Sequence, residues 1–197
     1  MPKVVDHAAR RAEIVDAVIR VVHRDGYAGV SVRAVAAEAS WSTGAIRHYF
    51  GTQQELLGHA MASLAERAGA RIDAAGRRAT DVDGVARLLE EVLPLDATRR
   101  AESEMWMALA IAARTDPQLT AVWRETQRQL RGLMESCVLV LAELAVGPLD
   151  IPTETDRLQA LIDGLALHGT LEPRMSVRRS RAALRAHLLG LTGSAAP

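Results

Sequence analysis

The chain has 197 residues, 49% of them hydrophobic but only 3% aromatic, and its 24 basic side chains balance 24 acidic ones. Alanine, leucine and valine carry the hydrophobicity and favour helices over strands, while the zero net charge means that any field attracting nucleic acid has to be local. No segment approaches the roughly 18 uncharged apolar residues of a membrane span, and the single cysteine, Cys137, excludes an intrachain disulfide.

The amino-terminal sequence, MPKVVDHAARRAE, contains no apolar core of the kind that a secretory signal needs. Together with the absence of a membrane span, this predicts a cytoplasmic protein. The first helix is predicted to extend to about Arg24, because Ile14, Val18 and Val22 recur at helical spacing. Gly26 then occupies the position of a C-terminal cap.

Residues 31–57 are the most informative segment and read SVRAVAAEASWSTGAIRHYFGTQQELL. They predict two short helices joined by a polar turn at 40–42. Ser31 and Ser42 are residue types that cap the starts of such helices. In the second helix Ile46 and Phe50, four residues apart, point inward together and leave Arg47 on another face.

No carboxylate occurs from Ala39 through Gln54, so this surface does not repel phosphate. Two short helices joined by a tight turn form the unit that places one helix in the major groove of DNA. The alternative is an ordinary helical hairpin inside a bundle, and we favour the DNA-binding interpretation.

From residue 52 onward the apolar pattern stays helical and predicts six further helices, at 52–76, 85–92, 99–114, 117–146, 155–171 and 177–191. Gly147 and Pro148 predict a loop over 147–153. The chain is therefore predicted to be all-α, with about nine helices and no sheet. Its domains are a three-helix helix-turn-helix domain at 1–51 and a six-helix ligand-binding and dimerisation domain at 52–197.

The span from about Ala12 to Leu57 resembles the tetracycline-repressor (TetR) family of one-component regulators. The similarity lies in GYAGVSVRAVAAEA followed by SWSTGAIRHYFGTQQELL, about a quarter of the chain. The segments MWMALAIAARTDPQLTAVW and LIDGLALHGTLEP are similar, more loosely, to the C-terminal domain of choline-responsive repressors in that family. The resemblance implies a repressor that an unknown small molecule releases from its DNA operator.

The resemblance also implies a recognition helix over Thr43–Phe50. The residues that it assigns to DNA binding are Ser31, Ser42, Thr43, Gly44, Arg47, His48 and Tyr49. Physical chemistry agrees for two of them, because arginine can bind guanine bidentately and Gly44 lets the backbone approach a base or phosphate. Most of the other contacts are expected to fix position and not to read sequence.

Three positions depart from the family pattern. Arg47 stands where tyrosine is frequent, and Gln53 stands where a phosphate-binding lysine is common. Trp41 occupies a position where a smaller aliphatic residue is usual. Two interpretations of Trp41 stay open: it packs under the turn, or it touches the DNA backbone.

Candidate ligand-binding residues lie in the carboxy-terminal part of the chain. They are Glu104, Met105, Trp106, Trp123, Met134, Cys137 and His168. A mostly apolar cavity with a few polar groups is what a small-molecule site requires, and a carboxylate beside tryptophan faces could hold a cation. At helical spacing these residues are more often plain core, and for His168 we favour a place in the core or in a subunit interface.

Helices near 155–171 and 177–191 present apolar faces, and Gly164, Ala166 and Gly169 would allow a partner helix to approach closely. With the resemblance, they predict a homodimer through a symmetric four-helix interface. Twofold symmetry then places two recognition helices about 34–36 Å apart, which implies a palindromic operator.

Two other classes of protein compete with this interpretation. An enzyme is disfavoured, because the sequence has no nucleophile elbow, no phosphate-binding glycine loop, no metal-ligand cluster and no cofactor motif. A helix-turn-helix DNA-binding protein without a small-molecule effector is the stronger alternative. A ligand screen by thermal shift separates it from a ligand-responsive regulator.

Overall fold

The computed structural model describes residues 7–76, 79–171 and 175–193. These residues form nine α-helices and no strand, which confirms the predicted all-helical fold. The helices are α1 (His7–Asp25), α2 (Val32–Ala39), α3 (Thr43–Tyr49), α4 (Gln53–Gly76), α5 (Val82–Leu89), α6 (Ala97–Ala112), α7 (Pro117–Leu144), α8 (Ile151–Leu171) and α9 (Val177–Thr192). Short 3-10 turns follow α1 at Tyr27–Gly29 and α5 at Glu90–Val92.

The predicted loop at 147–153 is too long, because α8 begins at Ile151. Asp150 explains the earlier start: its carboxylate accepts hydrogen bonds from the Thr153 backbone at 3.5 Å and from the Thr153 hydroxyl at 2.6 Å. Pro152 lies in the first turn, where a missing N–H costs nothing. A cap and a proline therefore outweigh the apolar periodicity that placed the start at residue 155.

Two compact units make up the chain. The first comprises the described residues up to Glu66 together with Glu104–Arg124, and the second comprises Arg67–Ser103 and the described residues from Glu125. Helices α4, α6 and α7 contribute residues to both. The boundary predicted after residue 51 separates a DNA-binding role from a ligand-binding and dimerisation role. This functional boundary stays a prediction.

The first unit is built around one apolar core. Its fully buried side chains come from α1, α2, α3, α4 and the adjoining parts of α6 and α7; the largest are Ile14, Ile46, Leu56, Met105 and Leu119. On the surface, Glu38 of α2 accepts hydrogen bonds from Arg20 and Arg24 of α1, each at 2.6 Å. Arg20 first and Arg24 second lower the pKa of Glu38. These exposed pairs orient α2 more than they stabilise it.

A second core lies in the second unit, where Leu89, Leu93, Met134, Leu141 and Leu158 are fully buried. Helices α6 and α8 also meet through polar groups in this unit. The Arg100 guanidinium donates to the Gly169 carbonyl at 2.6 Å. A Cβ at position 169 would lie 2.8 Å from Cγ of Pro94, so only glycine permits this approach. No described helix combines the length and hydropathy that crossing a bilayer requires.

Candidate functional site

Two serine caps set the geometry of the α2–α3 pair. The Ser31 hydroxyl accepts a hydrogen bond from the Ala34 amide and the Ser42 hydroxyl from the Ala45 amide, both at 3.1 Å. Between the helices Ser40 adopts a left-handed backbone with φ of 58°. The Trp41 amide then donates to the Ala36 carbonyl at 2.8 Å and closes the turn. Both predicted caps are therefore formed, and their hydroxyls are engaged within the protein.

Helix α3 is anchored on one side and open on the other. Ile46 is fully buried and Phe50, directly after the helix, is 5% exposed. Thr43, Gly44, Arg47 and His48 are exposed, and Gly44 has only the Ser42 hydroxyl near the space that a Cβ would occupy. The two apolar anchors thus hold the helix while these four residues stay accessible.

An aromatic cluster surrounds Tyr49 at the end of α3. Its ring centroid lies 5.7 Å from that of His7, 5.7 Å from that of Trp41 and 5.5 Å from that of His48. Trp41 and Tyr49 are half-buried and pack against the first core. The Arg10 guanidinium lies over the face of the Trp41 ring, with its Cζ 5.1 Å from the ring centroid. Trp41 therefore does pack at the turn, and it also supports a cation.

Gln53 has a structural partner in this fold. Its side-chain amide donates to the Val30 carbonyl at 2.7 Å and ties the start of α4 to the segment before α2. The same helix start is capped twice over. The Thr52 hydroxyl accepts from the Glu55 amide at 3.1 Å, and the Glu55 carboxylate accepts from the Gly51 amide at 2.8 Å. Together these two bonds fix the start of α4 directly after α3 and Phe50.

A groove of about 410 Å³ lies in the first unit beside the end of α3. Its lining residues are Arg11, Tyr49, Phe50, Gln54, Glu55, Gly58, His59, Gln118, Leu119 and Val122. Burial first, and the charge of Arg11 second, lower the pKa of His59, whose ring lies 5.2 Å from that of Phe50.

Four predicted ligand residues lie in the first unit. The Trp106 and Trp123 rings are 4.9 Å apart and tilted by 50°. Met105 is 1% exposed and belongs to the core. The Glu104 carboxylate pairs with Nδ1 of His23 at 2.8 Å, so it already has a protein partner. Within this unit the tryptophans contact each other, and Glu104 contacts α1.

The other three predicted ligand residues lie in the second unit, which contains a cavity of about 290 Å³. Cys137 lines this cavity, whereas Met134 is buried in the core. His168 is exposed on α8, so its predicted place in the core is wrong, and its place in a subunit interface stays a prediction. Burial raises the pKa of the Cys137 thiol to about 12, so the thiol stays protonated near neutral pH. The remaining lining residues are Ile72, Asp73, Gly76, Ala79, Val85, Leu88, Leu133, Ser136 and Val140.

Apart from Cys137, none of these lining residues is among the ligand-binding residues predicted from the sequence. On α7 the spacing of the lining residues could have indicated a shared site. Leu133, Ser136, Cys137 and Val140 are separated by three, one and three positions, so they lie on one face of the helix. The lining residues on α4 and α5 could not be predicted from spacing, because a cavity forms only where separate helices leave a gap between them. Across the described residues no group of three His, Cys, Asp or Glu side chains could hold a metal ion.

Comparisons with known proteins agree with this geometry. Residues 14–60 match the model of bacterial regulatory proteins of the tetR family, and residues 81–193 match the C-terminal domain of BetI-type transcriptional repressors. The HTH-type transcriptional regulator PksA of Bacillus subtilis (strain 168) is 36% identical over an alignment of 195 residues, and the match covers 95% of this chain and 92% of PksA.

Two solved structures share the fold. A transcriptional regulator from Rhodococcus sp. Rha1 superposes with a TM-score of 0.83 at 27% identity, covering 95% of this chain and 99% of that one. A regulator from Saccharomonospora viridis in complex with choline gives a TM-score of 0.81 at 23% identity, covering 90% and 94%. Members of the matched family regulate transcription and are not enzymes. The chain belongs to the tetR family of bacterial regulatory proteins and is a helix-turn-helix transcriptional regulator with a BetI-type C-terminal domain.

Proposed function

We propose that this regulator is a homodimeric repressor that reads a palindromic operator with α3 and leaves it when a small molecule binds the second unit. The observation that carries the proposal is the presentation of α3. Ile46 and Phe50 anchor it, Ser42 caps it, and Thr43, Gly44, Arg47 and His48 remain exposed. We expect the regulator to act in the cytoplasm, because its proposed partner is the bacterial chromosome.

Each exposed residue on α3 has a chemical task. Arg47 can donate two hydrogen bonds to guanine in the major groove, whereas Thr43 and His48 can bond base edges or phosphate oxygens. Gly44 leaves the helix backbone open to close approach. Tyr49 is half-buried among rings, which leaves its hydroxyl as the group for a phosphate contact. Ser31 and Ser42 act through the caps that orient the two helices.

The cavity of about 290 Å³ is the site that we assign to the effector. Its lining is mostly apolar with a carboxylate, Asp73, and a hydroxyl, Ser136, which is the composition of a small-molecule site. The match to the BetI-type repressor domain supports repression as the sign of regulation. The S. viridis protein was crystallised with choline, so this fold accommodates a small ligand in that protein. Met134 and His168 do not line the cavity, and Trp106 and Trp123 stay candidates within the first unit.

The proposed dimer interface uses α8 and α9. Leu167 and Leu171, one turn apart on α8, are 44% and 65% exposed. Gly164 of α8 and Gly190 of α9 have no neighbouring atom within 4 Å of an added Cβ. Exposed leucines and uncrowded glycines on the two helices fit close packing against the same helices of a second copy.

The dimer is tested by sedimentation. Replacing Leu167 and Leu171 together by aspartate introduces four charges across the twofold and is expected to yield monomers that have lost operator affinity. Leu139, 51% exposed on α7, provides the matched control, and its replacement by aspartate should leave the dimer intact. Wild-type protein that sediments as a monomer would refute the interface.

The DNA and effector roles are tested together. Genomic DNA fragments that the purified protein binds are sequenced, which selects an operator duplex. Binding of this duplex is then measured by fluorescence anisotropy, with and without compounds that raise the melting temperature of the protein. Ser136→Trp should block the cavity and abolish the thermal shift, while Glu135→Trp, on an adjacent exposed residue that does not line it, should not. If no compound shifts the melting temperature, the alternative of a regulator without a small-molecule effector is favoured.

A further inference from the structure

Arg10 and Trp41 form a pair that the DNA-binding role of α3 does not by itself explain. Arg10 lies in the first turn of α1, and Trp41 lies in the turn between α2 and α3. The guanidinium carbon is 5.1 Å from the Trp41 ring centroid, and Nη1 donates to the Glu13 carboxylate at 3.0 Å. Two contacts of different kinds therefore fix one surface arginine.

The position of this pair relative to α3 follows from the rings. Trp41 meets Tyr49 edge-on at 5.7 Å, and His7, on the same helix as Arg10, lies 5.7 Å from Tyr49 on another side. Tyr49 is the last residue of α3. One aromatic cluster thus joins the start of α1, the turn between α2 and α3 and the end of α3. Arg10 lies at the border of this cluster.

The cation–π contact with Trp41 leaves the Arg10 guanidinium available for a ligand. A cation over a ring is held by the electrostatic field of the ring face, so this contact takes up no hydrogen-bond acceptor and leaves the N–H donors of the guanidinium for other partners. Within the described part of the chain the only hydrogen bond of Arg10 is to Glu13, and its side chain is 46% exposed. Most of its five donors remain free, and the restricted side chain loses little entropy on binding.

We propose that Arg10 binds a phosphate of the operator backbone and that Trp41 is a positioning residue that holds Arg10 for this contact. The partner is DNA, because arginine forks match phosphate oxygens and the neighbouring segment from Ala39 through Gln54 carries no carboxylate. Gln53 stands where a phosphate-binding lysine is common, but its side chain donates to the Val30 carbonyl. The Arg10–Trp41 pair therefore supplies a contact to the DNA backbone from another part of the protein. The proposal rests on the proposed DNA-reading role of α3.

The test is the salt dependence of binding to the selected operator and to an unrelated duplex. Arg10→Ala should weaken both complexes by the same factor, about two- to fivefold per half-site, as for the loss of one exposed ion pair. It should also reduce the slope of log K against log salt by about one unit per lost phosphate contact. Arg128→Ala is the matched control, because Arg128 forms the same i,i+3 kind of pair with Glu125 but lies in the second unit. It should leave affinity and slope unchanged.

The role of Trp41 is tested by a double-mutant cycle. Trp41→Leu keeps apolar volume against the core but removes the ring, so Arg10→Ala should cost less in this background than in the wild type. Trp41→Phe keeps a smaller ring and should restore most of the coupling, which a purely structural role would not require. Circular dichroism of each variant checks that α1–α3 stay folded.

Three outcomes would overturn the inference. If Arg10→Ala matches Arg128→Ala in affinity and slope while wild type binds its operator, Arg10 touches no phosphate. If the effect of Arg10→Ala is the same in the wild-type and Trp41→Leu backgrounds, Trp41 does not position it. If the wild type binds no duplex, the proposed function fails and this inference fails with it.

Discussion

The DNA-reading part of the first unit and the cavity of the second unit are specified by different kinds of interaction. The α2–α3 pair depends on contacts between residues three to five apart: two serine caps at 3.1 Å and a left-handed Ser40. The cavity depends on residues from α4, α5 and α7 that are distant in sequence. Local contacts recur in any chain that keeps the motif, whereas the shape of a cavity depends on every helix around it. The surface that we propose for reading DNA is therefore locally encoded, and the cavity that we propose for the effector is not.

The largest expected effect comes from removing a buried side chain that anchors α3, because this change should impair the first unit and leave the second unit intact. Ile46→Ala should destabilise the first unit by about 2–5 kcal/mol, because Ile46 is fully buried under α3. Operator binding should be lost while the thermal shift with effector remains. Urea unfolding and anisotropy measure the two effects. Ile111→Ala, at a side chain 70% exposed, is the control and should stay within about 0.5 kcal/mol of wild type.

The next effect concerns how α3 reads sequence. Arg47→Ala should lower operator affinity by about 1–3 kcal/mol and relax the preference at one base pair per half-site, if the side chain bonds guanine. A panel of single-base operator variants measures this preference. An equal loss on every sequence would assign Arg47 to phosphate, and unchanged binding would remove it from the interface.

Cys137 gives a pH test confined to the second unit. Its pKa is raised by burial to about 12, above the unfolded value, so the unfolded state releases the thiol proton first as pH rises. Stability from this group is complete below about pH 9 and declines toward pH 12, by up to about 1.4 kcal/mol per pH unit. Urea unfolding of wild type and Cys137→Ala between pH 8 and 10 isolates the contribution. Equal pH slopes, or rapid reaction of the native thiol with a disulfide reagent at pH 8, would contradict it.

The smallest effect compares two caps of the same type. Ser42→Ala should cost about 1 kcal/mol of stability and also weaken operator binding, since it frees the start of α3. Ser176→Ala, at the start of α9, removes a longer 3.4 Å bond and should cost no more. Ser42→Gly should recover most of the loss, because glycine is tolerated at this position. Equal effects of both serine variants on DNA binding would mean that Ser42 acts only through global stability.

Much of the fold could be predicted because its signals are local. Ser31, Ser42 and Gly26 mark helix ends in the sequence and do so in the structure. The start of α8 was missed because apolar periodicity was weighed above Asp150 and Pro152. At the site, exposure of Arg47 and burial of Ile46 follow from helical spacing alone. The Arg10–Trp41 contact and the cavity beside Cys137 could not be predicted in this way, since each joins elements whose relative placement no local pattern encodes.

The central claim is that two copies of α3 read one operator from adjacent turns of the double helix. The most direct measurement is anisotropy with the selected operator and with derivatives that carry five additional base pairs at its centre. The twofold arrangement predicts that the insertion rotates one half-site to the opposite face of the DNA and lowers affinity to that of an isolated half-site. Unchanged affinity after the insertion, with one protein chain bound per duplex, would contradict the claim.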